Sequence, residues 1–174
     1  VTGSTFVGGI TNAGTISATA IGILVNGVKI FSGGISNAGL IDPKTGISVV
    51  NVSTFTGGIV NAAAGLITAT KIGISVSGVS TFLGGIANAG TITAKTAISI
   101  VGSTINGSVV DSRDILASHI GVAIDNQSAI FATKTAVAIS GSTFTGGISN
   151  AGLISAGHTG ISVGGVSTFA SGVT

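Results

Sequence analysis

The chain has 174 residues, of which 30 are Gly and one is Pro; 6% are charged, 44% are hydrophobic, and the formal net charge is +2. So little charge with so much Ile, Val and Ala excludes a disordered chain, and a charge of +2 gives no reason to expect a nucleic-acid partner. With no Cys there are no disulfides and no thiolate metal sites. Gly, Ser, Thr or Asn interrupts every apolar run before the roughly 20 residues of a membrane helix, and seven Phe without Tyr or Trp do not furnish the aromatic girdles of a membrane barrel. No membrane span is therefore expected in this segment.

Taken from the start, the chain opens on VTGSTF, already inside a phrase that recurs to the end, where VSTFASGV begins it again. No signal peptide is visible, and the chain is expected to be a piece of a longer repeat protein. Three anchors carry the repeat. Phe-x-Gly-Gly-Ile starts at Phe6, Phe31, Phe55, Phe82 and Phe144, with a worn copy at Phe169 and Ile105 in the Phe place of a degenerate one. Asn-Ala-Gly follows at Asn12, Asn37, Asn61, Asn88 and Asn150, with Asp111 and Asn126 read into the same slot. A short Gly-Ile-Ser-Val run begins at Gly22, Gly46, Gly73, Ala97, Gly121, Ala136 and Gly160, in steps of 24, 27, 24, 24, 15 and 24 residues.

Inside each unit apolar and small polar residues alternate in short β-branched runs, which is the period of a strand. No window has a helical stripe, and the Gly content penalises helices. The prediction is an all-β fold, a parallel β-helix (β-solenoid) of about seven coils of roughly 24 residues, three short strands per coil. It forms one unit over 1–174 with an irregular region at 106–135. Phe and the Ile of Gly-Gly-Ile should stack inward, and Asn should form a hydrogen-bonded ladder at one corner. Gly pairs such as Gly57-Gly58 and Gly146-Gly147, and a second Gly corner at Gly27, Gly78, Gly102, Gly141 and Gly165, should allow bends; Pro43 falls in a turn. Two departures stand out. Two extra residues within AAAG should bulge the corner after Asn61. In the step from Gly121 to Ala136 the Phe-bearing strand is missing, which predicts a gap or dent on one side.

The units STFTGGIVNAAAGLITA, STFLGGIANAGTITA and STFTGGISNAGLISA resemble the tandem repeats of bacterial autotransporter passenger regions, and the resemblance runs along essentially the whole chain. It implies a right-handed parallel β-helix displayed on the bacterial outer surface or outside the cell, preceded by a signal peptide and followed by a membrane barrel. Such rods include adhesins, proteases and inert stalks, so the resemblance supplies no catalytic residue.

One pattern goes beyond the fold. Lys44, Lys71, Lys95, His119, Lys134 and His158 each stand two residues before the third strand, and only Ala20 breaks the series. They predict a basic edge that could read a polyanion or a surface glycan, against the plain reading of a solvated corner copied with the repeat. No aromatic residue flanks it for base stacking, which argues against nucleic acid. His119 and His158 are poor metal ligands, with the cationic Lys134 between them. Asp111, Arg113 and Asp114, with Asp125 a coil later, form the one acidic cluster; clustered Asp in a groove suits polysaccharide cleavage, and the plain alternative is a worn turn. Thr pairs around Phe55 and Phe144 suggest an ice-binding face, which Val7, Leu83 and Asn106 interrupt. The Gly pairs do not lead into a helix or a Lys-Ser/Thr and are not phosphate loops. The expectation is a structural or adhesive rod with no catalysis and no cofactor. Its alternatives are a polysaccharide-active enzyme and a polyanion-binding module, and its exposed strand edges favour end-to-end association.

Overall fold

The computed structural model describes residues 1–140 and 143–174; the predicted corner residue Gly141 and Ser142 of the neighbouring repeat lie outside the described residues. The chain winds into a parallel β-solenoid with three sheets, two of them seven-stranded, each coil contributing one strand to each of those two. The first face runs from Thr5–Val7 through Ile30–Ser32, Thr54–Thr56, Thr81–Leu83, Thr104–Asn106 and Ala129–Ala132 to Leu153–Ala156. The second starts at Ile10–Asn12 and ends on Thr135–Ile139 and Thr159–Val163. The third face is the longest. In coils 1 to 3 it is broken into two strands, such as Leu40–Asp42 and Thr45–Val50, and in coils 4 and 5 it is one strand, Thr91–Val101 and Asp114–Ile124.

Pairing is parallel and in register, so like stacks on like. Phe6, Phe31, Phe55 and Phe82 superpose with ring centroids 5.0, 4.8 and 4.6 Å apart. Alternation does the rest, because every second residue of a strand points inward. Ile35, Ile59 and Ile86 line the second face, and Ile41, Ile67, Ile92, Ile47, Ile74 and Ile98 line the third, all buried. Each such side chain withdrawn from water stabilises the coil by about 1.5–3 kcal/mol. At the corner after the second face, Asn12, Asn37, Asn61 and Asn88 form the expected ladder. Each Nδ2 donates to the Oδ1 of the next rung at 2.8 Å, ending on Asp111 Oδ1 at 2.7 Å.

The Gly pairs work by closeness. A Cβ at Gly57 would lie 2.6 Å from the backbone N of Gly34, and Gly57 has φ of 100°, a conformation other residues avoid. Along the corner after the third face Gly27, Gly78 and Gly102 have positive φ, and Asn51 takes their place in coil 2 with φ of 52°. The AAAG bulge is present: Gly65 N donates to Ala62 O, and pairing resumes at Leu66 opposite Leu40.

No strand-sized hole is left at the short coil, whose shortage is met in another way and leaves a groove at the corner between the first and second faces. The step of 15 residues is nine short of the usual 24. Instead of leaving a hole, the rest of the chain advances by two strands. Ala129–Ala132 takes the Phe strand's place on the first face, with Ile130 opposite Ile105. Thr135–Ile139 follows on the second face, with Val137 opposite Val109. The Phe-bearing strand Thr143–Thr145 then lands on the third face, with Phe144 opposite Ile115, and Ile148 of the next strand lies opposite Val122. A hole of strand size would forfeit two strands of backbone pairing and the packing around it, about 24 cal/mol per Å³ of cavity. Rotation forfeits neither.

Candidate functional site

The rotation divides the basic edge. Lys71 N donates to Lys44 O and Thr96 N to Lys71 O, both at 2.9 Å, and Thr96 lies opposite Ile120. Lys44, Lys71, Lys95 and His119 therefore stand one above another at the bend within the third face, all exposed. Ala20 occupies the same column below, its carbonyl accepting from Thr45 N at 2.9 Å. Above His119 the column holds Gly146 and Gly147, between Thr145 opposite Leu116 and Ile148 opposite Val122. Lys134 and His158 do not continue it. They form a separate exposed pair at the corner between the first and second faces, where His158 N donates to Lys134 O at 3.1 Å. The single six-membered edge is thus four groups on one side of the rod and two on another. Neighbouring cations on adjacent coils, about 5 Å apart in water, repel by roughly 1 kcal/mol, so their side chains splay into solvent.

The acidic cluster is also taken apart. Asp111 is fully buried at the end of the Asn ladder. Its Oδ1 accepts from Asn88, but its Oδ2 has no partner. In Asn12, Asn37 and Asn88 the equivalent Nδ2 donates to the carbonyl two residues on; a carboxylate oxygen there has nothing to give. Burial pushes the Asp111 carboxyl up from the ordinary range, helped by the nearby Asp114 charge and opposed by hydrogen bonds from Asn88 and the Arg113 backbone. Asp114 is half-buried beside Arg113, Nε to Oδ2 3.8 Å, and Arg113 reaches two coils back to donate to Ala63 O of the AAAG bulge at 3.0 Å. Asp125 lies beyond the other end of Asp114–Ile124, at a different corner. Burial would raise its pKa too, but hydrogen bonds from the Ser128 hydroxyl and the amides of Gly102, Gln127 and Ser128 outweigh that and hold it low. Asn126 is exposed and does not join the ladder: the residue opposite Asp111 is Ile139.

His119 and His158 sit on different sides, and among the described residues no three His, Asp, Glu or Cys come together as a metal site. The two Thr-Phe-Thr units do not share an array. Thr54 and Thr56 are on the first face, whereas Thr143 and Thr145 are on the third. One residue with chemistry went unmarked in the repeat. Phe131 is 40% exposed on the first face, opposite Asn106 of the coil below and Ser155 of the coil above. Its position in AIFAT was the available signal: it follows the inward Ile130, so strand alternation turns it out.

Comparison of the chain with protein-family models, with curated proteins and with solved structures returns no significant match.

Proposed function

We propose that the chain is a structural and adhesive segment of a longer β-helical rod carried outside a bacterial cell, like the autotransporter passenger regions its repeats resemble, and that it performs no catalysis. The observation that carries this reading is the in-register parallel stacking of seven strands on each of two faces. It commits nearly every inward residue to holding neighbouring coils together. Coils spaced about 4.8 Å apart give the segment a length of roughly 34 Å, and a longer run of the same repeat would extend it without a new design. The placement of the carboxylates supports the absence of chemistry. Glycoside hydrolysis uses two carboxyl groups about 5–9.5 Å apart around the scissile bond, whereas Asp111 faces the core and Asp125 stands at another corner.

The test is an assay for new reducing ends on acidic polysaccharides. The rod reading expects none above the buffer control. Sustained turnover that disappears in Asp114→Asn would overturn it in favour of an enzyme. Export is tested by the reading frame around this segment, where a membrane barrel downstream is expected and a cytosolic enzyme domain would contradict the placement.

A second reading is favoured by the alignment of Lys44, Lys71, Lys95 and His119 on four consecutive coils: binding of a polyanion along that stripe. Retention on heparin should then weaken in Lys71→Gln with Lys95→Gln, eluting at distinctly lower salt. Elution unchanged from the parent would remove this reading.

A further inference from the structure

The rotation leaves a mismatch at the corner between the first and second faces. In coil 5 two residues, Gly107 and Ser108, link Asn106 to Val109. In coil 6 Phe131 stands opposite Asn106 and Val137 opposite Val109, so residues 132 to 136 must span the same corner. Five residues stacked on two cannot follow the wall of the rod. The surplus overhangs a groove of about 490 Å³ between Asn106, Gly107 and Ser108 below and Phe131, Thr133 and Ser155 above.

Phe131 is the one phenylalanine in an outward column; the other six stack inward, on Phe or on Ile. Exposed apolar surface beside convergent polar groups is the composition of a ligand site. Lys134 lies on this overhang and His158 on the coil directly above it, both exposed.

We propose that this groove is a saccharide subsite for an acidic polysaccharide of the uronate type. The C–H face of a pyranose ring lies on the Phe131 ring, its hydroxyls bond the Asn106 amide and the Ser155 hydroxyl, and its carboxylate meets Lys134 and His158. The assignment takes its negative ligand from the polyanion reading and moves the site off the Lys44–His119 stripe. A polyanion without sugar rings would have no use for Phe131.

Tetragalacturonate and inorganic polyphosphate, titrated calorimetrically into the chain and its variants, separate the cases. Phe131→Ser is a mild change, because Ser32 and Ser155 already stand in that outward column. Tetragalacturonate affinity is expected to fall about tenfold in Phe131→Ser, to fall also in Lys134→Gln, and to be unchanged in Lys71→Gln. Polyphosphate should ignore Phe131→Ser. If tetragalacturonate instead follows Lys71→Gln and is indifferent to Phe131→Ser, the subsite is wrong and the stripe stands. If polyphosphate alone binds, the subsite is likewise wrong. Binding of neither probe overturns both.

Discussion

Coils 1 to 5 and coils 6 and 7 are built from the same repeat, and they stack by different rules. Below the rotation Phe lies on Phe and Asn on Asn through coils 1 to 4 and Lys on Lys through coils 2 to 4, and coil 5 keeps the phase with Ile105, Asp111 and His119 in those columns. Above it the repeat continues half a coil out of phase, so Ile130 lies on Ile105 and Phe144 on Ile115. Inward positions tolerate this because burial is non-directional, and an Ile fills a Phe column without leaving a polar group bare. The hydrogen-bonded corner is less forgiving. Among the described residues the two buried side-chain atoms without a partner are Asp111 Oδ2 and Asn150 Oδ1. One is on the last rung below the rotation and the other on the Asn of the first Asn-Ala-Gly above it. Apolar packing can change phase, and a side-chain ladder cannot.

The sharpest way to break the contrast is to restore the missing strands. A copy of Ser77–Ile86 inserted between Ile124 and Asp125 should return coils 6 and 7 to the phase of the others. The chain has no Cys, so paired cysteines report the change cleanly. Leu116→Cys with Thr145→Cys should form a disulfide in the chain as it stands, because the two are backbone partners at a spacing a disulfide spans. With the insertion that bond should fail, and Leu116→Cys with Phe131→Cys should form instead. A Leu116–Thr145 disulfide in both chains would refute the account of the rotation.

Truncating the stacked rings comes next. Phe55→Ala should destabilise by about 4 kcal/mol, since Phe55 lies between two rings at 4.8 and 4.6 Å. Phe144→Ala should cost less, about 3 kcal/mol, because it has Phe169 at 5.5 Å on one side and Ile115 on the other. Urea denaturation measures both; equal losses would mean that the phase of the stack does not matter.

Gly121→Ala probes the seam itself. A Cβ there would run into the Phe144 ring and lie 2.9 Å from Gly147 O, so a loss of about 1–3 kcal/mol is expected. Ala97 occupies the same column one coil below, and Ala97→Gly should disturb the fold differently, by opening space. A Gly121→Ala chain as stable as the parent would place Phe144 elsewhere.

The smallest effect concerns the ladder's end. Asp111→Asn supplies the missing donor and should stabilise by about 1 kcal/mol at neutral pH. Sign follows from linkage. The folded state holds the Asp111 proton more tightly than the unfolded chain, so this group's contribution is fully present below the ordinary carboxylate pKa and is lost as pH rises through the elevated one. Asp125, held low, acts in the other direction: its contribution is present above the ordinary pKa and is lost as pH falls through the depressed one. Thermal melts across pH should show the Asp111 component vanish in Asp111→Asn, and a retained component would assign it to another group.

Most of the architecture was legible because a solenoid turns sequence period directly into space. Residues one repeat apart become neighbours, so the Phe stack, the Asn ladder, the AAAG bulge and the four-membered basic stripe could all be read as columns. The same logic failed at the short coil, where Asn126, Lys134 and His158 were assigned by homology of position within the repeat. Position in the repeat equals position around the rod only while each coil closes on the same number of strands. When Gly121 to Ala136 supplied too few, it was the tertiary balance that chose between a hole and a rotation: unpaired strands and an empty core cost more than two broken ladder ends. That choice carried Lys134 and His158 to another side of the rod and set a long corner over a short one beside Phe131. The sequence by itself determined which residues face inward, because alternation along a strand is local. Which inward column each of them joins was decided only when the coils stacked.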